Sequence, residues 1–140
     1  MKKTAYFLSA IICAIALNVF VSCDDDIENP GFTIDLEFTA DKTEVNVGED
    51  VTFTLKAFAV DEKGARVYAY TDGAEWRKVT TPGESEIIDF VECYGTTVLE
   101  NEISFDEAGE YKIFAVTKGH FGQYIFAGLT DTLDIKVTEN

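Results

Sequence analysis

His120 is the one histidine of this 140-residue chain, and the 26 acidic residues are its main reserve of groups able to move protons or hold a cation. Nucleophilic or general acid–base chemistry needs a base held against a nucleophile. Every Ser–His or Cys–His arrangement would therefore rest on His120, in the expected loop or hairpin tip Gly119-His120-Phe121-Gly122-Gln123. No serine lies in a G-x-S-x-G turn. Structural zinc needs a set of thiolate and imidazole ligands, and the chain has neither a second histidine nor a spaced cysteine pair. A calcium loop of the D-x-D-x-D-G type is absent, and Asp61-Glu62-Lys63-Gly64 places a lysine inside its turn. A looser calcium site of carboxylates and carbonyls at one end of the domain stays open. With 26 acids some carboxylates must lie close together, so closeness alone identifies no catalytic pair. These residues point away from an enzyme and imply no cofactor and no metal motif.

What remains is contact chemistry. Tyr68, Tyr70 and Trp76 fall in one expected hairpin, and Phe121, Tyr124 and Phe126 surround the loop before the last expected strand. Exposed aromatic rings beside polar groups stack on sugar faces or anchor protein partners. Tyr68, Tyr70, Trp76, Phe121 and Tyr124 are thus the candidate ligand contacts. Trp76 and Tyr124 each have a second reading as core residues, since a tryptophan on the third strand of such a domain usually packs inside. Phe114 and Val116 alternate with the inward set of their strand, which puts them on the outer face as an apolar patch for a partner to cover.

The first residues say where this happens. Met1-Lys2-Lys3, an apolar run from Ala5 to Val21 and the small residue Ser22 make a secretory signal. The run is broken by Ser9 and Asn18 and falls short of the ~20 residues of a membrane span. Phe20-Val21-Ser22-Cys23 resembles a lipobox, which implies a lipoprotein signal peptide over residues 1–22 and palmitate-type acylation of Cys23. Asp24-Asp25-Asp26-Ile27-Glu28 resembles the acidic export signal of Bacteroidota-type surface lipoproteins. That resemblance implies a lipid-anchored protein exposed on the outer membrane; in other Gram-negative envelopes an Asp after the Cys resembles a signal for inner-membrane retention. Two or three acyl chains hold firmly where one holds weakly, at about 0.8 kcal/mol per methylene.

Residues 23–31 then form an acidic tether closed by the turn signal Asn29-Pro30-Gly31. Residues 32–140 suffice for one domain. Cleavage removes Lys2 and Lys3 but no acid, so the net charge moves from −15 to −17. That excludes nucleic acid and anionic headgroups, which need a cationic face. Cys13 leaves with the signal and Cys23 carries lipid, so Cys93 has no partner for an internal disulfide and is expected as a small buried apolar residue.

The domain is patterned for strands. Phe32, Ile34, Leu36 and Phe38 alternate with polar residues, as do Val51, Phe53, Leu55, Ala57 and Ala59. Asp41 to Glu49 reads as a kink at which the first strand switches sheets. Thr71-Asp72-Gly73-Ala74 predicts a tight hairpin between Ala65–Tyr70 and Glu75–Thr80, and Thr81-Pro82-Gly83-Glu84 another turn. Ser85 to Tyr94 is partly apolar on both faces, so its register is open. Leu99, Ile103 and Phe105, then Tyr111, Ile113 and Ala115, then Leu133, Ile135 and Val137 are the later inward sets. Ser104-Phe105-Asp106-Glu107-Ala108-Gly109-Glu110-Tyr111 reads as a tyrosine corner, with Asp106 and Gly109 shaping the bend and Tyr111 sending its ring inward and its hydroxyl to the corner backbone. Seven to eight short strands make an all-β, two-layer antiparallel sandwich without a disulfide.

Val47-Gly48-Glu49-Asp50-Val51-Thr52-Phe53 and Ala108-Gly109-Glu110-Tyr111-Lys112-Ile113-Phe114-Ala115-Val116 resemble the V-G-E-x-V-x-F and G-x-Y-x-V segments of PKD-type immunoglobulin-like domains. Tyr68-Ala69-Tyr70-Thr71-Asp72-Gly73 resembles a worn W-D-F-G-D-G of that family. The resemblance implies the fold and leaves the function open among spacers, adhesins and ligand-binding modules. The sequence therefore reads as a non-catalytic, membrane-anchored surface module that binds a glycan or protein partner through its aromatic loops. The alternatives are an accessory subunit of an outer-membrane complex, docked through Phe114 and Val116, and an extracellular protease inhibitor. Cells grown with radiolabelled palmitate are expected to label the mature chain, and Cys23→Ala to abolish the label; an unlabelled wild-type product removes the anchor.

Overall fold

A computed structural model describes residues 31–139. The expected signal peptide, Cys23 and the tether up to Pro30 lie outside the described residues. Period-two alternation does its work from the first strand: β1 (Phe32–Ala40) buries Ile34, Leu36 and Phe38 and pairs without a slip with β3 (Asp50–Asp61). β3 buries Val51, Phe53, Leu55, Ala57 and Ala59, the inward set its pattern predicts. Between them β2 (Glu44–Asn46) crosses to the other layer and pairs parallel with the last strand, β10 (Leu133–Thr138). The Asn46 backbone N–H donates to Glu49 Oε1 at 2.9 Å, and this bond, followed by that from Lys42, holds the Glu49 carboxyl below its usual range.

The remaining strands are β4 (Arg66–Tyr68), β5 (Tyr70–Thr81), β6 (Glu84–Thr96), β7 (Val98–Ser104), β8 (Gly109–Phe121) and β9 (Tyr124–Leu129). One sheet has β3 at its centre, with β1 on one side and β4 and β7 on the other. The second runs β2-β10-β8-β5-β6, with β9 beside the far half of β8. This is a two-layer, immunoglobulin-like sandwich, antiparallel except for the β2–β10 pair, and its described residues contain no helix. Its described residues form ten strands where seven to eight are expected, because the second half of the first expected strand pairs separately as β2 and Tyr124–Leu129 pairs as β9. Thr130 manages the switch from β9 to β10 along β8: its N–H donates to the Ala115 carbonyl and its Oγ1 accepts the Ala115 N–H, both at 2.9 Å.

Trp76, Phe53, Leu55 and Ile113 are fully buried in one core, with Phe38 stacked on Phe53 at 5.5 Å and edge-on to Trp76 at 6.4 Å. Each such side chain contributes about 1.5–3 kcal/mol, comparable to the ~2–4 of a disulfide. Cys93 is free but half-buried rather than buried, and its thiol donates to the Thr71 carbonyl at 3.4 Å. A second cluster around Leu36, Ala59 and Phe126 fills the end where β1 begins.

At the corner the Tyr111 hydroxyl donates to the Glu107 carbonyl at 2.7 Å. The ring is half-buried, stacked on Phe105 at 4.6 Å, so it packs against the core rather than inside it. Asp106 is exposed on the bend, and Gly109 opens β8 opposite Val137. Tyr111→Phe is expected to cost about 0.5–1.5 kcal/mol, read as an earlier urea midpoint at unchanged slope; an unmoved midpoint would show that the bond contributes nothing.

Candidate binding site

Asp72-Gly73 does not turn a hairpin. β4 and β5 lie in different sheets, and β5 continues through Asp72-Gly73 as a bulge. Thr71 pairs with Gly119 and Ala74 with Thr117, so Asp72 and Gly73 together face Lys118 alone. One extra residue reverses the inside–outside parity of everything after it. Thr71 is therefore inside before the bulge, and Ala74 and Trp76 are inside after it. Gly73 takes the bulge conformation at φ +138°, and its carbonyl accepts a 2.7 Å bond from the buried Thr117 hydroxyl.

The bulge frees Asp72 to act as a bracket. Its Oδ2 lies 2.8 Å from His120 Nδ1, and its Oδ1 accepts the Gly95 N–H at 2.8 Å. A carboxylate only accepts, so Nδ1 carries the proton. His120 is not in a loop; it lies in β8 opposite Tyr70, and the hairpin loop shrinks to Gly122-Gln123. The imidazole stacks on Tyr70 at 5.2 Å and lies 5.7 Å from the ring of Tyr94, which is 85% exposed. Gly119 permits this approach, because a Cβ there would collide with the Tyr70 carbonyl and the Phe126 ring. Beside the rings a shallow cleft is lined by Asp72, Glu92, Lys118 and Ile125. The site thus offers two phenol rings, a bracketed imidazole, two carboxylates and an ammonium on one surface. Among the described residues no group of three histidine, cysteine or acidic side chains gathers as a metal cage.

The sequence candidates are scattered. Trp76 is 0% exposed at the centre of the core and is no ligand contact. Tyr68 lies on the opposite sheet, stacked on Phe58 at 4.9 Å, and Arg66 lies over the same Phe58 ring at 3.9 Å. There Arg66 also binds Asp35, whose pKa is raised by burial despite the guanidinium. Phe121 and Tyr124 are half-buried, edge-on to Phe32 at 5.1 and 4.9 Å, and close the end of the sandwich where β1 starts. Phe126, beside them in sequence, is buried. Phe114 and Val116 do lie on the outer face of β8, half-buried. Of the five ligand candidates the structure brings only Tyr70 to the new cluster. Asp72 stood out only as part of a turn signal and of the worn W-D-F-G-D-G segment, and Tyr94 and Lys118 carry no motif; the signal available for Tyr94 was the polar–aromatic alternation Phe90, Glu92, Tyr94 in the segment whose register stayed open.

The fold defines an immunoglobulin-like β-sandwich module. No family model matches the chain, and no curated protein matches it. Among solved structures it is similar to the PKD domain of an M14-like peptidase from a Thermoplasmatales archaeon, with 16% identity, a TM-score of 0.43, and 74% of this chain and 93% of that chain covered. It is also similar to the CARDB domain of a Pyrococcus furiosus protein solved with di-metal ions, at 11% identity and a TM-score of 0.47 over 81% and 100% of the two chains. A β-glucosidase from Listeria innocua in complex with glucose aligns at 15% identity and a TM-score of 0.42 over 86% of this chain, which spans 19% of that enzyme.

Tyr94→Ala should leave thermal stability unchanged, since the ring is largely in water. Asp72→Ala leaves Gly95 and His120 without their acceptor and is expected to cost about 1–3 kcal/mol. A melting experiment that ranks the two variants the other way would contradict this bracket.

Proposed function

We propose that the chain is a non-catalytic, lipid-anchored module on the outer membrane surface that binds a glycan at the Tyr70–His120–Tyr94 cluster. The observation that carries this reading is Tyr94: a phenol ring left in solvent yet set against an imidazole that is itself bracketed by Asp72. A ring so placed has an apolar face ready for the C–H face of a sugar. Asp72, Glu92 and Lys118 around it supply the acceptors and donor that sugar hydroxyls require. A site preorganised in this way loses little side-chain freedom on binding. The surface setting rests on the lipobox-like Cys23 and the acidic stretch after it.

Docking as an accessory subunit of a membrane complex has its own support in the exposed apolar side chains Ile87 and Phe90, on the same outer face as Phe114 and Val116. Protease inhibition has none, because no connection between described strands exceeds four residues and so none presents a long reactive loop. The mature chain in detergent is expected to bind members of a glycan array and to lose that binding, by about tenfold or more, on Tyr94→Ala. Undiminished binding by that variant would place the ligand elsewhere.

A further inference from the structure

The outer face of β8 carries Phe114, Val116, Lys118 and His120 in alternation, flanked by β9 on one side and by β5 and β6 on the other. Three clefts follow one another along it. The first, at Tyr94 and Lys118, is the site described above. The second lies between Phe90 and Val116, with Glu75, Lys118 and Ala127 at its walls. The third has Phe114 beneath it, between Val79 and Leu129. Lys118 lines both the first and the second, so these two adjoin. Six residue steps from Phe114 to His120 at ~3.3 Å each give this row of clefts a length of about 20 Å.

We infer that this row of clefts acts as one trough and binds a linear, uncharged oligosaccharide several rings long, lying along β8, with the Tyr94 cluster holding one end. The inference rests on the glycan reading above and adds the shape and charge of the ligand. Charge argues against an anionic chain: Asp72, Glu75, Glu84 and Glu92 line the three clefts against Lys118, and the neighbouring Arg77 is paired with Glu75 at 2.8 Å. The lining thus shares the negative sign of the whole protein, which repels a polyanion, while no single cleft holds more than two acids and so none is a concentrated seat for a polycation. An extended peptide fits less well. The backbone groups of β8 are engaged by β5 on one side and by β9 and β10 on the other, so a peptide on this face would gain no ladder bonds and leave its own amides unpaired. Sugar rings present apolar faces to Phe90, Val116 and Phe114 while their hydroxyls reach Glu75, Glu92 and Lys118.

The test is an affinity series on the mature chain in detergent, using arrayed plant, host and bacterial glycans with short and long members of each linkage, for wild type, Tyr94→Ala and Phe90→Ala. Phe90 is 54% exposed in the edge strand, so its truncation leaves the core intact. Wild type is expected to bind long members at least about tenfold more tightly than one- or two-ring members of the same linkage. Phe90→Ala is expected to erase that gain while short members bind as before, and Tyr94→Ala to weaken both. Equal affinity for short and long members, or equal losses from both variants, overturns the trough and leaves the Tyr94 site standing. Binding confined to uronic or sialic acid chains, or to peptides, overturns the uncharged-glycan assignment. A wild type that binds no array member overturns the glycan reading itself.

Discussion

The bulge at Asp72-Gly73 is the constraint on which the rest depends. β5 must bury Thr71 at one end and Trp76 towards the other, and they lie five positions apart, an odd offset that a regular strand would place on opposite faces. Inserting one residue opposite Lys118 resolves the conflict. Without it, Glu75 and Arg77 would face the core in place of Ala74 and Trp76, and two charges buried in an apolar layer cost far more than a bulge. The indole of Trp76 then joins Phe38 and Phe53, and the layers share one apolar core with no disulfide across it.

The same irregularity makes the surface distinctive. Residues in a regular ladder spend their backbone groups on neighbours, whereas the bulge swings the Asp72 carboxylate to where it reaches both β8 and the end of β6. His120 is held in one orientation, and two tyrosines are placed against it from separate strands. A structural solution to a parity problem thus gathers rings and polar groups on one patch of surface. Strain and irregularity often coincide with functional sites for this reason.

The edge of the second sheet is guarded while its face is left open. β6 carries Glu84, Glu86, Asp89 and Glu92 and its own register shift beside Trp76, both of which discourage an added strand. Asp89 also accepts a 2.8 Å bond from Asn101 on β7, tying the two layers on this side.

Much of this was legible in the residues themselves. Alternation in β1, β3, β7, β8 and β10 gave the inward sets, because a side chain that alternates in polarity has only one face it can bury. The Tyr111 corner, the Pro82-Gly83 turn and the absence of a disulfide followed from local chemistry in the same way. The site was not legible, for two reasons. Asp72-Gly73 satisfies a tight turn and a bulge equally well, and only the pairing of both flanks with β8 decides between them. Tyr70, Tyr94 and His120 are separated by 24 and 26 residues along the chain, and their meeting depends on the registers of β5, β6 and β8. Periodicity determined which residues each strand buries, since that is a property of one segment; which exposed residues gather was decided by tertiary structure, since that is set by how segments pair.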